Sequence, residues 1–321
     1  MLLRRALVLT LSLCALGLPV GAQTPGGTSR PFLGVTVTDR TFTTPRPARM
    51  LVAQVDLSTP GIRVAVSPPG GARETVRETT LAFLTRQGAQ LAVNGHFFLP
   101  FPSDEADAWL VGLAASEGRT YSPFEHPLQN FAIVPDAPAL VFDRRHRARI
   151  APKRPGANAT RVAGRGQVWN AVAGSAQILT NGAVTIPVYL DDAHPSGTLT
   201  PGPDGRYDNS RSWYDLVTAR TVVGLSRNRK VLTLVTVDGR AGVSGLTPRE
   251  IADVLVREFG VWNAINLDGG GSTTMAWRDP TTGLPALLNA PSDGVDGRRV
   301  GSSLAVFARA APTADAKGPR P

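Results

Sequence analysis

The sequence Asn266-Leu267-Asp268-Gly269-Gly270-Gly271-Ser272-Thr273-Thr274-Met275 directly follows an apolar run at residues 261–265. The run predicts a β-strand, and at its end one carboxylate precedes three glycines and a group of hydroxyl residues. A glycine triplet is unfavourable for a folded backbone unless another backbone or a ligand approaches closely. Its bare amides can bind an anion, with Asp268 at the rim as acid, base or ligand. A plain tight turn after a strand is the alternative.

The segment before this loop predicts a strand, a helix and then the strand at 261–265. An apolar run at residues 231–237 precedes a helix with clear start and stop signals. These signals are an N-cap, a first-turn proline, a capping-box carboxylate and a terminal glycine: Thr247, Pro248, Glu250 and Gly260. The spacing suits a crossover between parallel strands, which would place Asp238 and Asp268 at the same edge of a sheet.

The rest of the chain is dominated by short strand-like runs. They fall at residues 50–55, 62–66, 131–134, 140–142, 168–172, 184–189, 220–225 and 304–307. A second helix is expected at residues 75–86. The pattern predicts a single large α+β domain in which a mixed β-sheet is flanked by helices.

The N-terminus predicts a secretory signal peptide at residues 1–22. Arg4 and Arg5 precede an apolar core, and small residues end at Ala22. The apolar run is shorter than the roughly 18 residues that a membrane span needs, so no span is expected after cleavage. Cys14 is the only cysteine and would be removed, which excludes disulfides and cysteine chemistry. These features predict a secreted or periplasmic cell-envelope protein.

The expected boundaries follow from composition. Residues 23–48 should form a linker and an N-terminal strand, residues 49–309 the folded domain, and residues 310–321 a disordered tail. A long polar segment at residues 191–212 is expected to be a surface loop of the kind that often covers a site.

The formal net charge of +9 comes from scattered arginines. Anionic glycans or phosphodiesters would suit such a surface, whereas no basic patch with interleaved aromatics predicts a nucleic-acid partner. The densest basic cluster, at residues 144–149, fits either a solvated hairpin or a binding patch.

Three polar clusters follow strand-like runs: Asn94-Gly95-His96, Asp238-Gly239-Arg240 and the Asp268 loop. Each alone could be an ordinary turn, because Asn-Gly and Asp-Gly are common turn dipeptides. Three such clusters on one chain, two of them joined by a helical crossover, favour a shared crevice at a sheet edge.

The segment 266–275 resembles the signature of the phosphodiester glycosidase family. Further segments match in the family's order at residues 94–98, 219–224 and 238–240, then in the capped helix and at residues 299–300. The resemblance covers residues 91–307 and implies hydrolysis of a sugar-1-phosphodiester. His96 stands where the family often has a small residue, so a ligand or proton carrier and a simple loop histidine both stay open.

The resemblance and the chemistry together assign roles. Asp268 is the first choice and Asp238 the second for the carboxylate that stabilises an oxocarbenium-like state or activates water. The expected substrate-binding residues are Asn94, His96, Arg220, Arg240, Gly269, Gly270, Gly271, Ser272 and Thr273. Arginine grips phosphate through two parallel hydrogen bonds, although Arg220 and Arg240 could instead form structural salt bridges with Asp238 or Asp268.

Metal chemistry has less support, since the four histidines are scattered without close ligand spacing. No cofactor is expected to be required, while a calcium or magnesium ion at the Asp-Gly loops stays open. The favoured interpretation is an exported hydrolase acting on a sugar-1-phosphodiester in an envelope or extracellular phosphoglycan, such as an exopolysaccharide. A non-catalytic protein that binds glycan or phosphate on the same fold is the alternative.

Overall fold

A computed structural model describes residues 27–124, 137–186, 216–240 and 242–311 of this chain. The expected signal peptide, the loop at 191–212 and the strand at 131–134 lie outside the described residues, as does most of the C-terminal tail. None of the helices described is long and apolar enough to cross a lipid bilayer.

The described residues form mainly β-structure with two α-helices. The helices are α1 (Thr80–Gln87) and α2 (Pro248–Phe259). The strands, in chain order, are β1 (Thr28–Phe32), β2 (Val35–Phe42), β3 (Ala48–Asp56), β4 (Arg63–Val66), β5 (Thr75–Val76), β6 (Glu78–Thr79), β7 (Leu91–Asn94), β8 (Phe98–Leu99), β9 (Asp107–Leu110), β10 (Ala114–Ser116), β11 (Arg119–Ser122), β12 (Ala139–Phe142), β13 (Ala148–Ala151), β14 (Asn170–Ala173), β15 (Ala176–Thr180), β16 (Ala183–Val184), β17 (Arg220–Ser226), β18 (Val231–Val237), β19 (Val261–Asn266), β20 (Met275–Arg278), β21 (Pro285–Leu287), β22 (Arg299–Val300) and β23 (Ser303–Phe307).

Two large sheets pack face to face. The first has eight strands in the order β1-β2-β3-β18-β17-β19-β15-β16, and the second has five in the order β21-β20-β7-β23-β4. Successive residues of β3 point to opposite faces. Leu51, Ala53 and Val55 join the core between the two sheets, whereas Met50 and Val52 join the core under α2. Both faces of the large sheet are therefore covered, which explains why its central strands are apolar almost throughout.

The helices lie on the outer faces of these two sheets. Helix α2 packs its buried residues Ile251, Val254 and Leu255 on the eight-stranded sheet. Helix α1 packs Phe83 and Leu84 on the five-stranded sheet. With only two helices described, the expected α+β class is confirmed in its broad form and the flanking of the sheet by helices only in part.

The expected mixed sheet is wrong, because every described pair of neighbouring strands is antiparallel. Strands β18 and β19 do run in the same direction, as the helical crossover requires. However, β17 lies between them and pairs with both. The tight β17–β18 hairpin places β17 between β18 and β19, and α2 then crosses over β17. Asp238 and Asp268 consequently follow strand ends at the same edge of the sheet.

The helix boundaries show which sequence signals were sufficient. The capping box of α2 forms as predicted, with the Thr247 hydroxyl accepting from the Glu250 amide, and Gly260 ends the helix at φ 63°. Helix α1 begins at Thr80, later than the predicted residue 75. The preceding residues are drawn into short strands: β5 pairs with β9, and β6 pairs with β22. Tertiary pairing therefore overrides local helix propensity there.

The residues expected to form a linker and an N-terminal strand contribute two strands to the large sheet. Strands β1 and β2 form one edge of the eight-stranded sheet, and β2 pairs with β3 over eight residues. Val35 and Val37 are buried in the core between the sheets. At the other end, Ala310 forms a bridge with Phe32, so the start of the expected tail also belongs to the fold. The Thr and Gly content that suggested a linker is compatible with an edge strand.

Candidate active site

The loop that follows β19 carries the first group of the site. Gly270, Gly271 and Ser272 form a short 3-10 turn, and the Gly270 amide donates to the Ala219 carbonyl at 2.8 Å. Gly270 has φ 58°, a conformation that glycine adopts without steric strain. Gly270 and Gly271 are partly exposed, whereas Asp268 and Ser272 are buried beneath them. The loop is therefore reached by solvent at Gly270 and Gly271, while the adjoining Asp268 and Ser272 side chains are buried.

Asp268 is 8 % exposed and lies in an environment that favours its protonated form. Its Oδ1 accepts a hydrogen bond from the Gly269 amide at 2.9 Å. Burial raises the pKa of Asp268 to about 7, although the Ser272 hydroxyl, the charge of Arg298 and the Gly269 amide each oppose this rise. Because that pKa lies close to neutrality, the carboxyl group exchanges protons readily, as a catalytic acid or base must.

Arg298 provides the cation beside Asp268. Its Nη1 donates to the Ser272 Oγ at 3.2 Å, and its Nε donates to the Asp293 carboxylate at 2.6 Å. The guanidinium also lies 4.6 Å from the centre of the Phe101 ring. With its side chain 24 % exposed, Arg298 remains in contact with solvent. Arg298 can therefore bind an anionic ligand while Ser272, Asp293 and Phe101 fix its orientation.

Arg298 was not among the expected site residues. The sequence drew attention to Arg299, whose guanidinium instead donates to the backbone carbonyl of Arg77 at 3.0 Å. Adjacent residues at a strand point in opposite directions, so only one of the two arginines can face the Asp268 loop. The sequence did offer a signal for a site arginine, namely two consecutive arginines in a segment that resembles the family. It did not show which of the two faces the Asp268 loop.

Asp238 is the second carboxylate at this edge and is 2 % exposed. Burial raises its pKa, while a hydrogen bond from Asn289 and the charge of Arg49 oppose the rise. The Arg49 Nη1 lies 3.3 Å from Asp238, and the same guanidinium contacts Asp39 at 2.7 Å. Asp238 is therefore held in an ion-pair network that also includes a carboxylate from β2.

Asn289 links the two carboxylates indirectly. Its Nδ2 donates to the Thr273 carbonyl at 3.0 Å, and its Oδ1 accepts from the Met275 amide at 2.7 Å. Since Asn289 also hydrogen-bonds to Asp238, it connects Asp238 to the end of the Asp268 loop. Arg49 and Asn289 were both missed from the sequence, because neither belongs to a recognisable local motif.

Asn94, which was expected to bind substrate, lies behind the loop, where it positions the backbone. Asn94 ends β7 and is completely buried. Its Nδ2 donates to the Asp268 carbonyl at 2.7 Å. Its Oδ1 accepts from the Thr274 amide at 3.1 Å and from the Thr221 hydroxyl at 2.6 Å. The side chain thus fixes both ends of the glycine loop to the neighbouring strands.

Replacement of Asn94 by alanine should destabilise the fold strongly. The buried Thr274 amide and Asp268 carbonyl would lose their partner, and each unsatisfied buried group costs about 1–3 kcal/mol. We expect the free energy of unfolding, measured by urea denaturation, to fall by about 2–5 kcal/mol. Asn158→Ala, at an exposed loop residue, should change it by less than about 0.5 kcal/mol. Equal stability of the two variants would contradict the positioning role.

His96 is also enclosed and does not face the loop surface. Its Nδ1 lies 2.7 Å from the Ser302 Oγ, and its Nε2 lies 3.0 Å from both the Leu113 carbonyl and the Ala173 amide. Burial lowers the pKa of His96 to about 4, so the ring is neutral near pH 7. His96 therefore ties three chain segments together in the core, which favours the structural of the two interpretations that the sequence left open.

The two arginines expected to grip phosphate lie in different environments. Arg220 begins β17 and is completely buried, with its Nη2 donating to the Leu216 carbonyl at 2.6 Å. Arg240 is exposed, and its backbone pairs with Val243. The guanidinium groups shown beside the two carboxylates are those of Arg49 and Arg298. Arg220 and Arg240 are therefore not the cations that the structure places beside Asp238 and Asp268.

Two further expectations concern hydroxyls and metals. Ser272 lies between Asp268 and Arg298 and bonds to both, whereas the Thr273 hydroxyl is buried without a hydrogen-bond partner among the described residues. In those parts of the chain, no three His, Cys, Asp or Glu side chains converge as a metal site would require. His126 and His194 lie outside the described residues.

The arrangement combines a carboxyl group whose pKa is raised to about 7, an adjacent guanidinium and the partly exposed backbone of Gly271. It suits acid–base chemistry on an anionic substrate. The phosphodiester glycosidase family model matches residues 87–307, which include Asp238, Asp268 and Arg298. The chain belongs to the phosphodiester glycosidase family.

Similar proteins are known for this glycosidase domain. The chain is 27 % identical over 235 residues to N-acetylglucosamine-1-phosphodiester alpha-N-acetylglucosaminidase of Mus musculus, and 26 % identical over 220 residues to that of Bos taurus. These alignments cover 69 % and 68 % of this chain but only 39 % and 37 % of the relatives. The chain thus spans about two fifths of the length of the curated relatives it matches.

Solved structures share the fold of the domain. A hypothetical protein from Synechocystis superposes with a TM-score of 0.60 at 14 % identity, covering 90 % of this chain and 64 % of that one. The zebrafish N-acetylglucosamine-1-phosphodiester alpha-N-acetylglucosaminidase catalytic domain, auto-inhibited by its pro-peptide, superposes with a TM-score of 0.57 at 20 % identity, covering 90 % of this chain and 86 % of that one. At these identities the structures show the shared fold alone.

Proposed function

We propose that the protein hydrolyses the glycosidic bond of a sugar-1-phosphodiester. The observation that carries the proposal is Asp268, a buried carboxyl group with a pKa of about 7, joined through Ser272 to the solvent-facing Arg298. Membership of the phosphodiester glycosidase family supports the reaction class. The finer proposal is an exported enzyme whose substrate is an envelope or extracellular phosphoglycan.

In the proposed reaction, the phosphate monoanion binds over the glycine loop. Arg298 offers a permanent charge, and the partly exposed Gly271 offers a backbone amide. The anomeric C–O bond breaks through an oxocarbenium-like state, and the electron pair leaves with the phosphate oxygen. The group that leaves is a phosphomonoester, which departs readily with the electron pair, so strong protonation of that oxygen is unnecessary.

Asp268 acts on the sugar side of the same bond. Its ionised form stabilises the positive charge and accepts a proton from the water that attacks the anomeric carbon. The products are a free reducing sugar and a phosphomonoester. With a pKa of about 7, Asp268 returns that proton to solvent near neutral pH. We assign Asp238 an indirect role, since Asn289 connects it to the loop.

A substrate panel tests the proposal directly. Methyl phosphodiesters of α-N-acetylglucosamine 1-phosphate, glucose 1-phosphate and mannose 1-phosphate would be incubated with purified protein, with and without EDTA. We expect at least one to release reducing sugar, while matched p-nitrophenyl glycosides stay intact because they lack the phosphate. Binding without any release of sugar would instead support a non-catalytic glycan- or phosphate-binding protein.

The EDTA arm separates two mechanisms. The proposed reaction uses protein groups alone, so we expect activity to survive chelation. Loss of activity with EDTA and its recovery with Ca²⁺ or Mg²⁺ would place a hard cation in the mechanism. Export is tested separately, by finding whether the protein isolated from cells begins at Gln23.

Replacement of Gly271 by alanine tests the packing of the guanidinium on the loop. A Cβ atom at Gly271 would collide with the Arg298 guanidinium and lie 2.9 Å from the Asp293 Cβ. Displacement of a substrate-binding group by about 1 Å can reduce rates up to 100-fold, so we expect kcat/KM to fall about 10- to 100-fold. Gly70→Ala is the control, because its Cβ would meet Val76 at an ordinary 3.6 Å. Unchanged kcat/KM in Gly271→Ala would mean that Arg298 takes no part.

A further inference from the structure

A basic cavity lies at the opposite end of the large sheet from Asp268. Its volume is about 490 Å³, and it opens between the turn of the β12–β13 hairpin and the turn of the β17–β18 hairpin. Its wall contains five cations, namely Arg147, Arg149, Arg165, Arg229 and Lys230. Among the described residues of that wall, Asp143 is the single carboxylate. The basic cluster at residues 144–149 is thus a hairpin, as one interpretation of the sequence predicted, and it also lines a cavity.

A second cavity continues the first. Its volume is about 560 Å³, and it shares Arg149 and Arg229 with its neighbour. It adds Arg227, whose guanidinium lies 4.9 Å from the centre of the Trp262 ring. The described residues that line this second cavity include no carboxylate. We call the two cavities together the distal basic groove, defined by Arg147, Arg149, Arg165, Arg227, Arg229 and Lys230.

Much of the positive charge in the distal basic groove is not neutralised by the protein. Arg147 forms an ion pair with Asp143 at 2.6 Å, and Lys230 is attracted by the nearby Asp56. In the described part of the chain, by contrast, no carboxylate forms an ion pair with Arg149, Arg165 or Arg229.

Arg149 shows the strongest sign of a missing partner. Its Nη1 is buried and has no hydrogen-bond partner among the described residues. Burial, together with the like charge of Arg229, lowers the pKa of Arg149. A buried guanidinium nitrogen without an acceptor is unfavourable, so an external anion would improve its environment.

Arg229 occupies a backbone conformation that does not favour arginine. Its φ is 60°, in the left-handed region that glycine adopts most readily. The turn would therefore form at least as well with glycine at this position. This property makes Arg229 useful for testing, because its side chain can be removed without weakening the hairpin.

The distal basic groove is separate from the Asp268 site. Lys230 immediately precedes β18 and Asp238 immediately follows it. At about 3.3 Å per residue, the strand places these two residues roughly 25 Å apart. A ligand in the groove therefore leaves the Asp268 loop accessible.

We infer that the distal basic groove binds the phosphorylated sugars of a phosphoglycan chain, one unit in each cavity. Each volume lies in the range that suits a sugar phosphate, and the concave shape suits this ligand better than a nucleic-acid duplex. The preference of the groove for an anion follows from the charges of its own side chains. The choice of a glycan as that anion rests on the proposed function. Binding of one chain at two sites would raise the local concentration of scissile bonds at Asp268.

Glucose 6-phosphate is a suitable probe, because its phosphate is on O6 and it has no glycosidic bond to phosphate. Binding of this probe to the purified protein would be measured by calorimetry for four forms: the unmodified protein, Arg165→Ala/Arg229→Gly, Arg119→Ala/Arg249→Ala and Arg298→Ala. The second double variant removes two exposed arginines from outside the groove and is matched in charge.

We expect the groove variant to weaken binding of glucose 6-phosphate by about tenfold or more. The charge-matched variant and Arg298→Ala should stay within about twofold of the unmodified protein. Unchanged binding in the groove variant would overturn the inference, and so would an equal loss in the charge-matched variant. A loss confined to Arg298→Ala would place the anion at the Asp268 site and would also overturn it.

Two further probes define the ligand. Inorganic phosphate should bind more weakly than glucose 6-phosphate, and equal binding would remove the sugar from the inference. A single-stranded thymidine oligonucleotide should not compete with glucose 6-phosphate. If the groove variant no longer binds the oligonucleotide but still binds the sugar phosphate, the groove is a nucleic-acid site instead. None of these measurements requires hydrolysis, so they remain informative whether or not the substrate panel is cleaved.

Discussion

Asp268→Asn is expected to lower kcat/KM for a cleavable sugar-1-phosphodiester by at least about 100-fold while the protein folds normally. The amide has almost the same shape as the carboxyl group, but it cannot accept a proton or carry the charge that the proposed transition state requires. The measurement is release of reducing sugar under steady-state conditions. Asp253→Asn, at an exposed position on α2, is the matched control and should leave kcat/KM unchanged.

The pH dependence of the unmodified protein gives an independent check. The pKa of Asp268 is raised to about 7, and the proposed mechanism needs its ionised form. We therefore expect kcat/KM to rise with pH up to about 7 and then to level off, and Asp268→Asn should lose this rising limb. A rate that falls through the same range would show that Asp268 donates a proton instead.

Stability should change with pH in the opposite sense. Since the pKa of Asp268 in the folded state is above its ordinary value of 3.8, the folded protein binds more protons than the unfolded chain between about pH 4 and 7. This group therefore reduces stability as pH rises through that window. Asp268→Asn should be more stable than the unmodified protein at pH 8, and the difference should vanish below about pH 4. Urea denaturation at both pH values measures it.

Arg298→Ala is expected to produce the second large effect, a rise in KM of about 10- to 100-fold. A charge-assisted hydrogen bond contributes about 1.5–3 kcal/mol, and the proposed phosphate contact would be lost. The charge of Arg298 also lowers the pKa of Asp268, so its removal should move the rising limb of the pH profile to higher pH. A role limited to folding would change neither quantity in this way.

Two variants make this test specific. Arg298→Lys should recover part of the loss, because lysine restores the charge but not the planar fork that matches a phosphate. Arg299→Ala removes the same charge one residue further along, where the side chain contacts the Arg77 carbonyl. It should leave KM unchanged even if it affects stability. An equal rise in KM for Arg299→Ala and Arg298→Ala would contradict the assignment of Arg298 to the site.

The sequence was sufficient where the relevant contacts are local. The capping box of α2 connects Thr247 with Glu250, three residues apart, and it formed as predicted. The apolar runs at 231–237 and 261–265 became β18 and β19, because a strand needs little more than suitable side chains and a partner. The Asp268 loop was located for the same reason, since its three glycines and the preceding carboxylate are adjacent in the chain.

Local patterns were not sufficient to determine which strands become neighbours. The crossover through α2 suggested adjacent parallel strands, but β17 lies between β18 and β19. The pairing of β17 with both strands depends on contacts distributed over the whole sheet. The crossover through α2 indicates only that β18 and β19 run in the same direction. The N-terminal strands β1 and β2 were underestimated in a similar way, because an edge strand has a weak apolar pattern.

The amino-acid sequence by itself determined the secondary structure of the central segment, the family to which the chain belongs and the position of Asp268. The tertiary structure decided which cations face the two carboxylates: Arg298 lies 26 residues after Ser272, and Arg49 lies 189 residues before Asp238. It also decided that Asn94 and His96 are enclosed rather than exposed to a ligand. The physical reason is that strand pairing and burial act between distant residues, so the direction of a side chain and the charge beside it are fixed only when the sheets have packed.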